Sequence, residues 1–189
     1  MGEFLILHGL EGSGPEHWQT WLAGRLRERG ERMSYPDLPE PLDPHPADWV
    51  RALDAELAML DSPTVVCHSL ACLLWLRVAA RPSDAAIADR VLLVAPPWRK
   101  DLEPVARFLE HGARARDVAR AARETLIVCS DEDPYCPPGA VETYAEPLGV
   151  PAHVIPGAGH INTDAGYGEW PEVAAWALGE RAFPVLYSP

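Results

Sequence analysis

Residues 64–80 read TVVCHSLACLLWLRVAA. Thr64–Cys67 is a short apolar run rich in β-branched side chains, the pattern of a strand buried on both faces. Leu70–Ala80 is apolar nearly all round, which predicts a deeply buried helix. Only His68 and Ser69 separate the two. A strand that passes into a helix through so sharp a turn needs small residues two before and two after the turning residue, because larger side chains would collide. Cys67 and Ala71 meet that need. Among the serines at 13, 34, 62, 69, 83, 130 and 188, only Ser69 has small neighbours at this spacing. A serine at a helix start can also serve simply as an N-cap.

The same alternation of strand and helix runs through the chain. Phe4–Leu7 is a short apolar run, followed by a glycine-rich turn. Pro15–Arg29 carries Trp18, Trp21, Leu22 and Leu26 at helical spacing, and Gly30 stands at the C-cap. A weak strand is expected over Arg32–Tyr35 and a helix over Pro46–Leu60, with Trp49, Leu53, Leu57 and Leu60 on one face. Further strands are expected at Arg90–Ala95, Thr125–Cys129 and Ala152–Ile155. Helical segments are expected between Ala95 and about residue 122, over Pro138–Leu148 and over Pro171–Glu180. This pattern predicts an α/β fold: a three-layer sandwich around a parallel sheet of about six strands, in one domain spanning 1–189. In such sheets ligands meet the carboxyl ends of the strands. The loops after Leu7, Cys67, Ala95, Cys129 and Ile155 should therefore line one rim.

Composition narrows the function. With 189 residues, 48% of them hydrophobic and 23% charged, the chain can bury a substantial core. Its 16 Lys and Arg against 28 Asp and Glu give a net charge of −12, which opposes binding to nucleic acid or to an anionic membrane. The N-terminus lacks the basic region and cleavage site of a signal peptide, and no apolar stretch reaches spanning length. The expectation is a cytoplasmic protein without membrane insertion. Cys67, Cys72, Cys129 and Cys136 form no C-x-x-C pair and read as buried thiols in a reducing compartment. The histidines show no metal-ligand spacing, so neither metal nor cofactor is expected.

The strand ends carry the chemistry. After the first strand comes His8-Gly9-Leu10-Glu11-Gly12-Ser13-Gly14. Its spacing is not that of a dinucleotide or phosphate loop, but its glycines could turn backbone N–H groups toward a developing oxyanion. After the fifth strand comes Ser130-Asp131-Glu132-Asp133-Pro134. Asp131 and Glu132 read as a solvated turn, whereas Asp133 precedes Pro-x-x-Pro, which would hold its loop in one conformation. After the sixth strand, Gly157-Ala158-Gly159 leads into His160, whose ring can stand free among small residues. The other histidines, His17 and His111 among them, read as surface or structural residues. Ser69, Asp133 and His160 fall in the order Ser…Asp…His, each just past a strand, as a nucleophile, an orienting acid and a general base do on a parallel sheet.

These segments together resemble a known family. HGLEGSGPEHWQTWL near the start, VVCHSLACLLWL, DEDPYCP and GAGHINTDAGYGEWPE near the end are similar to the small serine hydrolases of the α/β-hydrolase superfamily that include retinoblastoma-binding protein 9. The resemblance covers nearly the whole chain. It departs at Ala71, where most relatives carry glycine. It implies a minimal α/β-hydrolase fold without a cap domain, with Ser69 as nucleophile, His160 as base, Asp133 as acid, and the backbone N–H groups of Leu10 and Leu70 as oxyanion hole. The expected activity is carboxylesterase-like cleavage of an ester, thioester or amide of a small acyl substrate through an acyl-enzyme. A non-catalytic binding or scaffold protein on the same fold is the alternative. The residues flanking the turns, Leu10, Trp98, Tyr135 and Ile161, are candidates for the pocket wall, with core packing as the other use of Trp98. Residues 97–122 have length for a short helical flap.

Overall fold

The computed structural model describes residues 2–83, 85–110 and 112–188. In chain order the elements are β1 (Glu3–Leu7), α1 (Trp18–Glu28), β2 (Arg32–Ser34), α2 (Pro46–Leu57), β3 (Thr64–His68), α3 (Leu70–Ala79), β4 (Ala88–Val94), α4 (Glu103–Leu109), α5 (Ala115–Ala121), β5 (Ala122–Ser130), α6 (Glu146–Leu148), β6 (Ala152–Ile155) and α7 (Pro171–Ala177). The strands form one parallel sheet in the order β2-β1-β3-β4-β5-β6. This is an open, all-parallel α/β sheet.

The alternation of side chains along each strand sorts the core into two layers. Leu5, Leu7, Val65, Cys67, Val91, Leu93, Ile127 and Cys129 point to one face, where α2, α3, α4, α5 and α6 pack. Phe4, Ile6, Val66, Leu92, Val94, Leu126 and Val128 point to the other, which is covered by α1 and α7 through Trp18, Leu22, Leu26, Val173 and Trp176. Strand order runs outward from β1 to β2 and then reverses to β3. Right-handed crossovers thus place α1 on one face and the following helices on the other. The reversal leaves a crevice at the carboxyl ends of β1 and β3.

Most differences from the sequence expectation are local. β5 starts at Ala122 rather than Thr125, because α5 ends at Ala121 and the next residue is already extended, with φ −142° and ψ 150°. The expected helix over Pro138–Leu148 is a π-helical turn, Val141–Ala145, running into the one-turn α6. Pro147 has no N–H for the carbonyl of residue 143, and its ring would collide with that carbonyl in a regular α-helix. The turn widens instead, and Glu146 N–H donates to the carbonyl of Val141. Between Ala95 and residue 122 the chain forms two short helices, α4 and α5, the first packed against α3. His111 lies outside the described residues.

Candidate active site

The loop between β3 and α3 turns at a single residue. Ser69 has φ +54° and ψ −123°, a region an L-residue enters only at a cost of about 1–3 kcal/mol. Ser69 N–H donates to Val94 O at 2.9 Å, which ties the turn to β4. Cys67 and Ala71 are both 0% exposed, so the alanine fits without opening the turn.

Ser69 meets two residues from distant loops. Its Oγ is 2.8 Å from His160 Nε2, and His160 Nδ1 lies 2.9 and 3.0 Å from the carboxylate oxygens of Asp133. With Nδ1–H donating to the carboxylate, Nε2 is left to accept the serine hydroxyl proton. Asp133 is 5% exposed and His160 8%. Asp133 sits in an Asx turn: Tyr135 N–H donates to Oδ1 at 2.8 Å and Cys136 N–H to the Asp133 carbonyl at 3.1 Å. The ring of Tyr135 lies 4.4 Å from that of His160. Asp131, read from sequence as solvated, is exposed but accepts Gly157 N–H at 2.8 Å, joining the two loops that carry Asp133 and His160.

The loop after β1 runs against this turn. An added Cβ at Gly9 would stand 2.8 Å from Ser69 Cβ, so only glycine allows the approach. The loop is braced by His8, whose Nδ1–H donates to Gly9 O at 2.8 Å and whose Nε2 accepts Leu38 N–H at 2.9 Å. Burial lowers the pKa of His8 and suits this neutral, doubly bonded ring. Among the described residues neither Leu10 N–H nor Leu70 N–H has an acceptor. Two such donors beside a serine hydroxyl suit the stabilisation of a negative oxygen.

A cavity of about 360 Å³ opens over Ser69 and His160. All five expected loops contribute to it. Its apolar wall, Leu10, Leu70, Leu102 and Val105, belongs to the layer of α2–α6, with Pro97 beside it, whereas the polar His17, Asn162, Thr163 and Asp164 come from the start of α1 and the loop after β6, joined by Glu11. Tyr135 lines it as expected, but two of the expected pocket residues do not. Trp98 faces a separate apolar cavity with Phe108 and Tyr144, its ring 5.8 Å from Tyr144 and capped by Lys100 Nζ at 4.2 Å. The strand-end turn carries Pro97 into the site and the next side chain away from it. Ile161, at φ +50°, is 0% exposed and packs into the α1–α7 layer. A larger cleft of about 500 Å³ between α1 and α7 has no nucleophile in its lining.

Sequence reasoning passed over two histidines in this cavity. His68 is 5% exposed, and its Nε2–H donates to the His160 carbonyl at 3.0 Å, fixing the loop that carries the base. Burial, with His160 and His17 nearby, holds its pKa well below the usual imidazole range. His17 is the N-cap of α1 and lies 4.9 Å, ring to ring, from His68. The available signal was its position, at the first helix start after a strand-end glycine loop. Among the described residues, no three His, Cys, Asp or Glu side chains are grouped to hold a metal ion. Nor is any described helix long and apolar enough to cross a membrane. The four cysteines are unpaired and buried.

Comparison with known proteins places the chain in a family. A family model described as serine hydrolase matches residues 4–177. The YdeN protein of Bacillus subtilis (strain 168), whose own hydrolase name is provisional, is 25% identical over 171 residues, covering 89% of this chain and 90% of the relative. Its crystal structure superposes with a TM-score of 0.85 at 23% identity, over 95% of this chain and 98% of that one. Est1E from Butyrivibrio proteoclasticus has a TM-score of 0.67 at 16% identity, over 95% and 88%. A solved structure from work on carboxylesterases of Nitrososphaera gargenis has a TM-score of 0.64 at 11% identity, over 84% and 83%.

Proposed function

The chain belongs to the serine hydrolase family, and we propose that it cleaves an ester, thioester or amide of a small acyl substrate through a Ser69–His160–Asp133 triad. The observation that carries this reading is the unbroken path from Ser69 Oγ through His160 to Asp133, with contacts of 2.8 and 2.9 Å. His160 takes the Ser69 proton as the oxygen attacks the carbonyl carbon. The oxyanion of the tetrahedral intermediate is received by the N–H groups of Leu10 and Leu70, each such donor contributing about 2.7–4 kcal/mol to barrier lowering. His160 then hands the proton to the leaving atom. Water, deprotonated by the same imidazole, attacks the acyl-enzyme and frees Ser69. Asp133 keeps the imidazole in the Nδ1–H tautomer and stabilises its charged form.

The apolar wall suits a short hydrocarbon acyl group, and the likeness to structures connected with carboxylesterases favours esters. In this reading residues 1–189 form one domain of the retinoblastoma-binding protein 9 type, acting in the cytoplasm without a cofactor.

Fluorophosphonate labelling tests it. Wild type should react at one serine, and Ser69→Ala and His160→Ala, folded by circular dichroism, should not. Folded wild type that fails to react would overturn the assignment.

A further inference from the structure

The segment His17-Trp18-Gln19 opens α1, and each of its side chains reaches the site. Trp18 Nε1–H donates to the Ile161 carbonyl at 2.8 Å, and Gln19 Nε2–H donates to the Leu7 carbonyl at 2.9 Å. These two hold the loops after His160 and after β1. His17 does something different. Its Nδ1 accepts Gln19 N–H at 3.2 Å, as a helix N-cap does. A ring nitrogen that accepts carries no proton, so in the neutral ring the proton is on Nε2. Among the described residues Nε2 has no partner. Among the described residues the buried side-chain atoms without a partner are Tyr35 Oη, Trp75 Nε1, Arg120 Nε and Thr125 Oγ1. His17 Nε2 is not among them, so it keeps access to the cavity that His17 lines, although the residue is only 6% exposed.

Resting on the serine-hydrolase reading, we infer that His17 is a specificity-determining residue whose Nε2–H binds a neutral oxygen acceptor on the leaving group of the substrate. The placement follows from the two walls. His17 shares the polar wall with Asn162, on the loop that bears His160, the group that returns the proton to the leaving atom. The His17 ring is 4.9 Å from His68, which is 5.1 Å from His160. The hydrocarbon wall, with Leu102 and Val105, is left for the acyl part.

The chemistry of the acceptor is also constrained. A second proton on Nδ1 would break the N-cap, so His17 stays a donor and cannot pair with an ammonium group. Burial and the neighbouring His160 agree with this, lowering its pKa to about 4. The carboxylates of Glu11 and Asp164 on the same wall repel an anionic acceptor. An ether, hydroxyl or carbonyl oxygen remains.

The test uses the full chain and two esters of one acid whose leaving alcohols have nearly the same shape, 2-methoxyethyl butyrate and n-butyl butyrate, with acid release followed by titration. The wild-type kcat/KM ratio of methoxyethyl to butyl ester should fall about fivefold to tenfold in His17→Asn, the loss of one neutral hydrogen bond. Comparing ratios cancels the intrinsic reactivities of the esters. Asparagine keeps a cap acceptor for Gln19 N–H, so its melting temperature should recover relative to His17→Ala while the selectivity does not. An unchanged ratio, with both esters slowed alike, reduces His17 to a cap and overturns the inference. So does a wild type that is labelled by fluorophosphonate yet favours neither ester. Loss of labelling in wild type removes the serine-hydrolase reading itself.

Discussion

Gly9→Ala adds a methyl group where the loop after β1 touches the turn at Ser69. The new Cβ would lie 2.8 Å from Ser69 Cβ, 3.1 Å from the His68 carbonyl and 3.3 Å from Ser69 Oγ. Carbon atoms rest at about 3.5–4.0 Å, so the two chains must part by about 1 Å. Gly9 is not among the residues with positive φ, so alanine meets no backbone strain there. The smaller unfolded-state entropy would by itself favour the variant by about 0.4–1 kcal/mol. Overpacking costs about 1–3 kcal/mol, and the net expectation is a loss of about 1–2 kcal/mol. The kinetic effect is larger, because the displaced atoms are Ser69 Oγ and the adjoining Leu10 N–H. A misplacement of about 1 Å at a reacting centre costs on the order of 10²-fold. Urea unfolding would measure the first quantity, and the rate of fluorophosphonate labelling the second. Gly30→Ala is the control, since Gly30 has φ +72°, nothing within 4 Å of its added Cβ and no place in the cavity lining. It should lose about 1–2 kcal/mol from strain and keep its labelling rate. If Gly9→Ala labels within twofold of wild type while remaining folded, the close approach of the two loops does not govern the reactivity of Ser69.

Other perturbations test separate links. Asp133→Asn retains an acceptor for Tyr135 N–H but releases the imidazole tautomer, and ester hydrolysis should fall on the order of 10⁴-fold with little change in melting temperature; a loss below tenfold would contradict the assigned role. His17 has its folded pKa lowered to about 4 from 6.5, so the unfolded chain takes up the proton first as pH falls. Its contribution is therefore intact above pH 6.5 and shrinks between pH 6.5 and about 4, by up to about 3.5 kcal/mol at about 1.4 kcal/mol per unit. Urea midpoints across that range should drop less steeply in His17→Asn than in wild type, and parallel slopes would refute the shift. Trp18→Phe keeps an aromatic ring but leaves the Ile161 carbonyl without its donor. It should cost about 1–3 kcal/mol in urea unfolding, and full stability would show that the bond does not hold the loop.

Much of the fold was open to a reader of the chain because its signals are short-range. Continuous apolar runs such as Val91–Val94, helical spacing in α1 and α2, and prolines and glycines at the turns are decided within a few residues of one another. They placed all six strands and the loops at their carboxyl ends. Where the sequence reading slipped, the cause was local backbone chemistry, as at Pro147, or the long-range choice of layer. Ser69, Asp133 and His160 could be nominated because each follows a strand of one parallel sheet; their contacts of 2.8–3.0 Å are a property of the packed loops. Trp98 and Ile161 stand beside the same turns, yet the backbone directs one toward Tyr144 and the other beneath the sheet. His17 shows the converse. Its position after the glycine loop hinted at the site, but the sequence does not say whether a capping histidine also faces a cavity. Only the crossover that lays α1 on the face of the sheet beneath the loop after β6 brings its ring beside His68 and opens its free nitrogen to the site. The types and order of the elements are set by local pattern. Which side chains share the cavity is set by the handedness of the crossovers and by packing between residues far apart in the chain.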